Sequence, residues 1–400
     1  MTRNIVVVGC GFAGLSAALE LGRRLSPIET VTVISLSRHF IFLPSLIWVA
    51  QGWREIDEIS FDVTPVLAEA GIGFVQAALE EIDPDNKLLK LNTGSVIAYD
   101  KVLLTTGGLW SWDIIPGLQP KSSGGELVSI FSPKEAMNAR PYWQAFLEAP
   151  GPAVIGLMPN ASLYGAAYEF ALSLAAAVRH RWGREKVDLT FVTPEPFLGH
   201  FGHGGLGNSR SMLENAFSGH GIKSITKAQV THVQSDAVIL VDGSHLPSTF
   251  TMLVPPQQGI QPIRKIPGLT DVEGRIPVDG YYRSLQYPGI FAAGGTMRIE
   301  PKVETLFPCG VFVPGVVSAE MGRAAAANIA ADYRHGSPMK KPQEEINAFY
   351  VLDSGVQGLF VSLGPQSWLN LQINLPGPWS RWAKVLAEKY RLRQLQMGNY

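Results

Sequence analysis

The stretch Ile5-Val6-Val7-Val8-Gly9-Cys10-Gly11-Phe12-Ala13-Gly14 decides the fold. Four consecutive β-branched apolar residues suit a strand buried on both faces of a parallel sheet. The turn after them has the spacing Gly-x-Gly-x-x-Gly. Leu15, Ala18, Leu19 and the run from Leu21 to Leu25 then continue at helical spacing, and Val31-Thr32-Val33-Ile34 is a second strand. In such a βαβ unit Gly9 permits the tight turn, Gly11 lets the backbone approach a pyrophosphate, and Gly14 lets helix and strand pack closely. Phe12 and Ala13 open the helix, whose amino terminus turns its positive end toward phosphate. Ser35 stands where an acidic residue normally ends the second strand and binds ribose hydroxyls. The contact expected there is an uncharged hydrogen bond.

Two later stretches repeat the theme. Tyr99-Asp100-Lys101-Val102-Leu103-Leu104-Thr105-Thr106-Gly107-Gly108 is an apolar strand ending in Thr-Gly, as at the close of the dinucleotide domain in flavoproteins built from two dinucleotide folds. Tyr287-Pro288-Gly289-Ile290-Phe291-Ala292-Ala293-Gly294-Gly295 ends in Ala-Gly, with Gly295 where Asp often follows. Three motifs in this order make FAD the expected cofactor, with Thr106, Gly107, Gly294 and Gly295 added to the candidate binding residues. Between them, Pro152-Ala153-Val154-Ile155-Gly156 begins a second unit of the same shape, completed by a helix over 163–177 and a strand over 188–192. Its turn, Gly156 to Ser162, lacks the glycine spacing and carries Pro159 and Asn160, so an NAD-type fold without NAD is expected.

The fold class read from these patterns is α/β, with two Rossmann-like dinucleotide-binding domains and a C-terminal region containing an amphipathic helix. The expected domains are 1–115 with 275–335 for FAD, 116–274 for the second unit, and 336–400 for a C-terminal interface or membrane-associating region.

Composition narrows the class. The 400 residues are 46% hydrophobic and 17% charged, which excludes a disordered chain. Lys plus Arg (33) against Asp plus Glu (34) leaves a formal charge of −1, with no basic excess for a phosphate backbone, so nucleic acid is not an expected partner. Cys10 and Cys309 are the two cysteines, which excludes a disulfide framework and any Cys-x-x-Cys pair. The eight histidines show no metal-ligand spacing, and no metal site is expected. No run of eighteen uncharged apolar residues occurs. Arg3 through Gly14 reads as strand and turn rather than as a secretory signal. The expected location is cytoplasmic, with peripheral membrane association.

With these residues in view the chain resembles the sulfide:quinone oxidoreductases and the related flavocytochrome c sulfide dehydrogenase flavoproteins over nearly its whole length. The resemblance runs through Trp48-Val49-Ala50-Gln51-Gly52-Trp53-Arg54-Glu55, Ala161-Ser162 with Gly165, Ala167-Tyr168-Glu169-Phe170, Glu195-Pro196, Gly199-His200, Pro301 with Val303-Glu304-Thr305, and Pro308. Trp379, Trp382-Ala383-Lys384 and Glu388-Lys389-Tyr390 continue it. The resemblance implies a monotopic FAD protein that passes two electrons from sulfide, through a cysteine disulfide beside the flavin, to a quinone. The positions that match the relay cysteines are Phe131, Leu163 and Tyr350. None is a thiol, and a thiolate is the species that attacks a disulfide or carries a persulfide.

Other matching positions have changed too. Phe312-Val313-Pro314-Gly315 lacks the family lysine, and Glu135 stands at an acid–base histidine. His200 and Glu304 match a family histidine and carboxylate and are the candidate catalytic residues, together with Cys309 in the Pro308-Cys309-Gly310 loop. His200 and Cys309 each also have a plainer reading: a hydrogen-bonded loop histidine and a buried small residue.

Phe40, Phe42, Leu46, Ile47, Trp48 and Trp53 form an apolar cluster that reads equally as a quinone tunnel, a lipid contact or ordinary core. Trp379, Trp382, Leu386 and Tyr390 share one helical face beside Arg381, Lys384, Lys389, Arg391 and Arg393, the composition of a helix lying in a headgroup layer or docked on protein. The expected partners are a quinone and, at that helix, a membrane surface, a protein or a second copy of the chain. Two functions stand open: an FAD oxidoreductase that uses no thiol relay, and a catalytically degenerate flavoprotein serving as a structural or partner subunit.

Overall fold

Two parallel sheets, each fed by the apolar runs described above, place the cavity of the molecule. The structure is a computed structural model that describes residues 3–26, 28–334, 338, 346, 348–353, 357–363, 375–376 and 379–398. The first sheet orders its strands Ile290–Ala292, Lys101–Leu104, Arg3–Val8, Glu29–Ser35, Gly73–Gln76, all parallel. Val8 lies opposite both Ile34 and Leu104, and Leu104 opposite Ala292. The carboxyl ends of these strands therefore stop level, and Gly9, Ser35, Thr105 and Ala293 emerge at one edge. Strand order reverses beside Arg3–Val8, where open α/β sheets bind ligands.

The helix Phe12–Arg24 covers one face of this sheet together with Gly315–Arg334, a helix for which no motif had been read. The two cross closely because the contact is made of small residues. A Cβ at Gly322 would stand 2.1 Å from the Ala13 carbonyl oxygen, and one at Gly315 would stand 2.8 Å from the Phe12 ring. Phe12 packs edge-on against Phe40, centroids 5.1 Å apart.

The second sheet orders Lys223–Ile225, Leu189–Val192, Ala153–Leu157, Phe250–Val254, again all parallel. Its helix runs Tyr164–Trp182, five residues beyond the expected end, because no breaker precedes Gly183. A short antiparallel pair, Leu109–Trp110 with Gln257–Gln258, links the two units.

The cluster after the second strand resolves into core: Phe40, Phe42, Leu46, Ile47 and Trp48 are buried, whereas Trp53 is exposed. Strands Ala348–Asp353, Gln357–Leu363 and Leu375–Pro376 form a small antiparallel sheet, with Tyr350 opposite Val361. The helix Trp379–Gln396 then docks through buried Leu392 and Leu395 and through polar residues. Glu388 accepts from Ser45 Oγ and pairs with Arg54 at 3.2 Å. Lys384 pairs with Glu169 and lies 4.7 Å from the Trp48 ring centroid. Lys384, grouped by sequence with the cations flanking the apolar stripe, is thus buried, its charge met by a carboxylate and an indole face. Trp382, Leu386 and Tyr390 are 62%, 64% and 61% exposed, so the stripe is uncovered among the described residues. The Trp379 side chain lies outside the described residues. Among the described residues no helix is long and apolar enough to cross a membrane.

Candidate functional site

A cavity of about 1540 Å³ opens at the carboxyl edge of the first sheet and extends to the turn and helix start of the second. That exceeds the roughly 300–1,000 Å³ of an ordinary small-molecule site. Gly9, Gly11, Phe12, Ala13, Ser35, Thr106, Gly107, Gly294 and Gly295 all line it. Gly14 does not; it sets the packing beneath, where a Cβ would stand 2.0 Å from the Gly9 carbonyl oxygen. Gly9 has φ +102°, and a Cβ there would meet the Thr105 carbonyl oxygen at 2.5 Å. A Cβ at Gly11, by contrast, would have nothing within 4 Å: this is open cavity wall.

The helix starting at Phe12 has no side-chain cap and no acidic residue in its first turn. Its free N–H groups and positive dipole end therefore face the cavity with nothing to neutralise them. Thr105 Oγ1 donates to Val8 O at 2.9 Å, and Gly107 N–H donates to Thr296 Oγ1 at 2.9 Å, which fixes the second and third walls.

Arg275 is a cavity residue that carried no motif. Its Nη2 donates to Gln257 O at 3.0 Å, while its buried Nη1 has no partner. A Cβ at Gly295 would stand 3.7 Å from that Nη1. Where the family motif often has Asp, this chain therefore has glycine beside a guanidinium. Burial lowers the Arg275 pKa from its ordinary value, partly offset by Glu273 and Asp271. An uncapped helix terminus, glycine walls and an orphaned guanidinium N–H fit an anionic dinucleotide such as FAD.

The other end of the cavity holds the positions expected to carry thiols. Phe131 and Leu163 both line it. Tyr350 lies in a described strand, but its side chain is outside the described residues. Cys309 is buried in the wall, its Sγ 3.7 Å from Phe307 O, and burial raises its thiol pKa. Cys10 sits in the phosphate turn, its thiol pushed up to about 12 by burial. Both cysteines are held as thiols, in which form neither is a nucleophile.

The remaining candidates separate. Glu304 is exposed at the cavity wall. His200 is outside the cavity lining and buried; its Nδ1 accepts from Gly202 N–H at 3.2 Å, its Nε2 has no partner, and burial lowers its pKa. Glu135 accepts from Ser129 Oγ at 2.8 Å at the start of the helix Pro133–Glu148.

Sequence reasoning had not singled out Glu195 for chemistry. It is fully buried and accepts from Tyr168 Oη at 2.5 Å, Thr193 Oγ1 at 2.9 Å and Phe201 N–H at 2.8 Å. Burial pushes its carboxyl up to about 7. Glu169, also in the cavity wall, was read as part of the family resemblance and not as a site residue, because a carboxylate inside an apolar helix carries no local signature.

The model of the pyridine nucleotide-disulphide oxidoreductase family matches residues 3–306. A sulfide-quinone reductase of Aquifex aeolicus is 32% identical over 408 residues, covering 100% of this chain and 92% of that protein. The X-ray structure of the sulfide:quinone oxidoreductase from A. aeolicus superposes with a TM-score of 0.89 at 31% identity, over 99% of this chain and 92% of that one. An NADH dehydrogenase-like protein of Mycobacterium tuberculosis is 27% identical, over 83% of this chain and 81% of that protein. On the full-length match and the shared double-dinucleotide architecture, this chain belongs to the sulfide:quinone oxidoreductase family of pyridine nucleotide-disulphide oxidoreductases.

Proposed function

We propose that this protein is an FAD-dependent oxidoreductase that delivers electrons to a quinone and does not oxidise sulfide through a cysteine relay. The observation that carries the proposal is the cavity wall at Phe131, Leu163 and Cys309: two positions that match relay cysteines are hydrocarbon, and the thiol present is protonated and single there. When bound, FAD supplies the two-electron chemistry. The chain's own residues then have distinct tasks. The Gly9–Gly14 turn and the helix start at Phe12 hold the pyrophosphate, and Arg275 Nη1 donates to the same group of oxygens. Val311, Phe312 and Val313 exclude water from the far end of the cavity. The stripe Trp382, Leu386 and Tyr390 places the protein on a lipid surface, where a quinone dissolves.

The test begins with the absorption spectrum of the purified protein, which should show bound flavin. Rapid mixing with sulfide should leave the flavin oxidised, and flavin reduced by dithionite should reoxidise on adding a short-chain quinone. Fast reduction by sulfide would overturn the relay part of the reading.

The same loss of thiols supports a second reading, a catalytically degenerate subunit of a larger complex. A colourless protein that takes up no FAD on incubation decides for it.

A further inference from the structure

Glu195 is buried outside the cavity, yet it holds the segment on which part of the cavity wall rests. Its Oε1 accepts from Phe201 N–H, and its Oε2 accepts from both Tyr168 Oη and Thr193 Oγ1. The wall residues Gly310 and Phe312 are held by that same segment. Phe312 N–H donates to Phe201 O at 3.1 Å, and the two rings lie 5.5 Å apart. A Cβ at Gly202 would stand 2.2 Å from Gly310 O, which also accepts from Tyr164 Oη at 2.8 Å. A single layer of side chains therefore separates the carboxyl group from the cavity.

The hydrogen bonds around Glu195 suit one charge state. As an ionised carboxylate it accepts from all three donors. A proton on Oε2 turns that oxygen into a donor and displaces the Tyr168 or Thr193 hydroxyl. Tyr168 Oη already accepts from Gly199 N–H at 2.9 Å, so it has little room to receive it. Burial acts the other way and favours the neutral form. The two tendencies balance near neutrality, with the carboxyl pushed up to about 7.

No ion pair to Glu195 occurs among the described residues. Tyr164 and Tyr168 on the helix and Cys309 in the wall face it, and burial keeps all three protonated. Burial also disfavours a charged His200. His203 turns to Phe312 O at 3.2 Å, Glu169 turns to Lys384, and the Lys227 side chain is exposed.

We propose that Glu195 is a positioning residue for the cavity wall and takes up a proton from solvent when the cavity gains negative charge. Two electrons and one proton added to a bound flavin leave one net negative charge there. A second proton forms an O–H bond on Glu195 and restores neutrality. The proposal rests on the reading above that the cavity holds FAD.

In the test dithionite supplies the two electrons, and infrared difference spectroscopy reads the carboxyl group directly. At about pH 8, where the oxidised protein holds Glu195 mostly ionised, reduction should add the C=O band of a protonated carboxyl. Glu195→Gln should abolish that band. The midpoint potential of the flavin should fall more steeply with pH from about 7 upward, where reduction takes up the extra proton, and Glu195→Gln should flatten that segment. Tyr168→Phe removes a donor that favours the carboxylate, so both features should move upward by about one pH unit.

Reduction that adds no carboxyl band overturns the proposal, as does a band that survives in Glu195→Gln. Parallel potential curves for that variant and the parent overturn it too. Should Glu195→Gln fail to fold, Tyr168→Phe decides: a band and a steep segment that it leaves unmoved reject Glu195 as the proton acceptor. Failure of the earlier reading is seen separately, as a colourless protein that takes up no FAD.

Discussion

Lys384 on the C-terminal helix forms a buried ion pair with Glu169, a residue of the cavity wall 215 positions earlier in the chain. The pair ties the outermost helix of the molecule to its site. The helix has a docked face, fastened by Lys384, Glu388, Leu392 and Leu395, and an exposed face that carries Trp382, Leu386 and Tyr390.

Removing one partner of such a pair leaves a carboxylate in a desolvated place without the cation beside it. Lys384→Met should therefore lower unfolding stability by about 3–5 kcal/mol, and Lys384→Met with Glu169→Gln should recover much of that loss. Urea denaturation of the three proteins checks this. A single variant as stable as the parent would show that the pair holds nothing in place.

The glycines of the phosphate turn should fail in different ways. Gly14→Ala puts a methyl group 2.0 Å from the Gly9 carbonyl oxygen, so it should destabilise the domain and lose flavin with it. At Gly11 an added Cβ would meet no atom within 4 Å, so Gly11→Asp should leave thermal unfolding nearly unchanged. Its carboxylate opposes phosphate, however, and bound flavin should fall at least tenfold. Flavin-to-protein absorbance ratios, set beside melting curves, separate the two.

Glu195 makes stability depend on pH. Its carboxyl titrates at about 7 when folded, against an ordinary value of 4.5. The folded state therefore binds more protons than the unfolded state between those values. Its contribution is complete below pH 4.5 and is lost as pH rises through 7, a decline of roughly 3 kcal/mol at about 1.4 kcal/mol per pH unit. Glu195→Gln should remove that decline between pH 5 and 8. Denaturation midpoints across that range check it, and parallel slopes for the two proteins would rule it out.

Membrane attachment is best probed on the exposed stripe alone. Cutting off the helix would also strip Arg54 and Glu169 of their partners, so its effects would be mixed. Replacing Trp382, Leu386 and Tyr390 together by Ser leaves Lys384 and Glu388 in place. Co-sedimentation with anionic vesicles should fall by at least tenfold, and the remaining binding should weaken further with salt, because Lys389 and Arg393 are exposed on the same helix. Unchanged sedimentation would reject the lipid contact, and loss of self-association instead would assign the stripe to a second copy of the chain.

By itself the sequence determined the parts governed by neighbours along the chain. The run Ile5–Val8, the Gly9–Gly14 turn and the strands ending at Thr106-Gly107 and Gly294-Gly295 are legible because strand burial, turn geometry and helix packing act over a few residues. The lack of thiols at Phe131 and Leu163 was equally plain, since chemistry absent from a side chain needs no fold to reveal it. Tertiary structure decided what depends on distant partners. Lys384 read as a surface cation until Glu169 and Trp48 enclosed it, and Phe40, Phe42, Leu46, Ile47 and Trp48 read as quinone tunnel, lipid contact or core until the packed molecule buried them. Arg275 belongs to no local pattern: its place beside Gly295, about twenty residues away, arises from the cavity that the two sheets enclose. Burial and electrostatic compensation are properties of the packed molecule, so no window of sequence contains them.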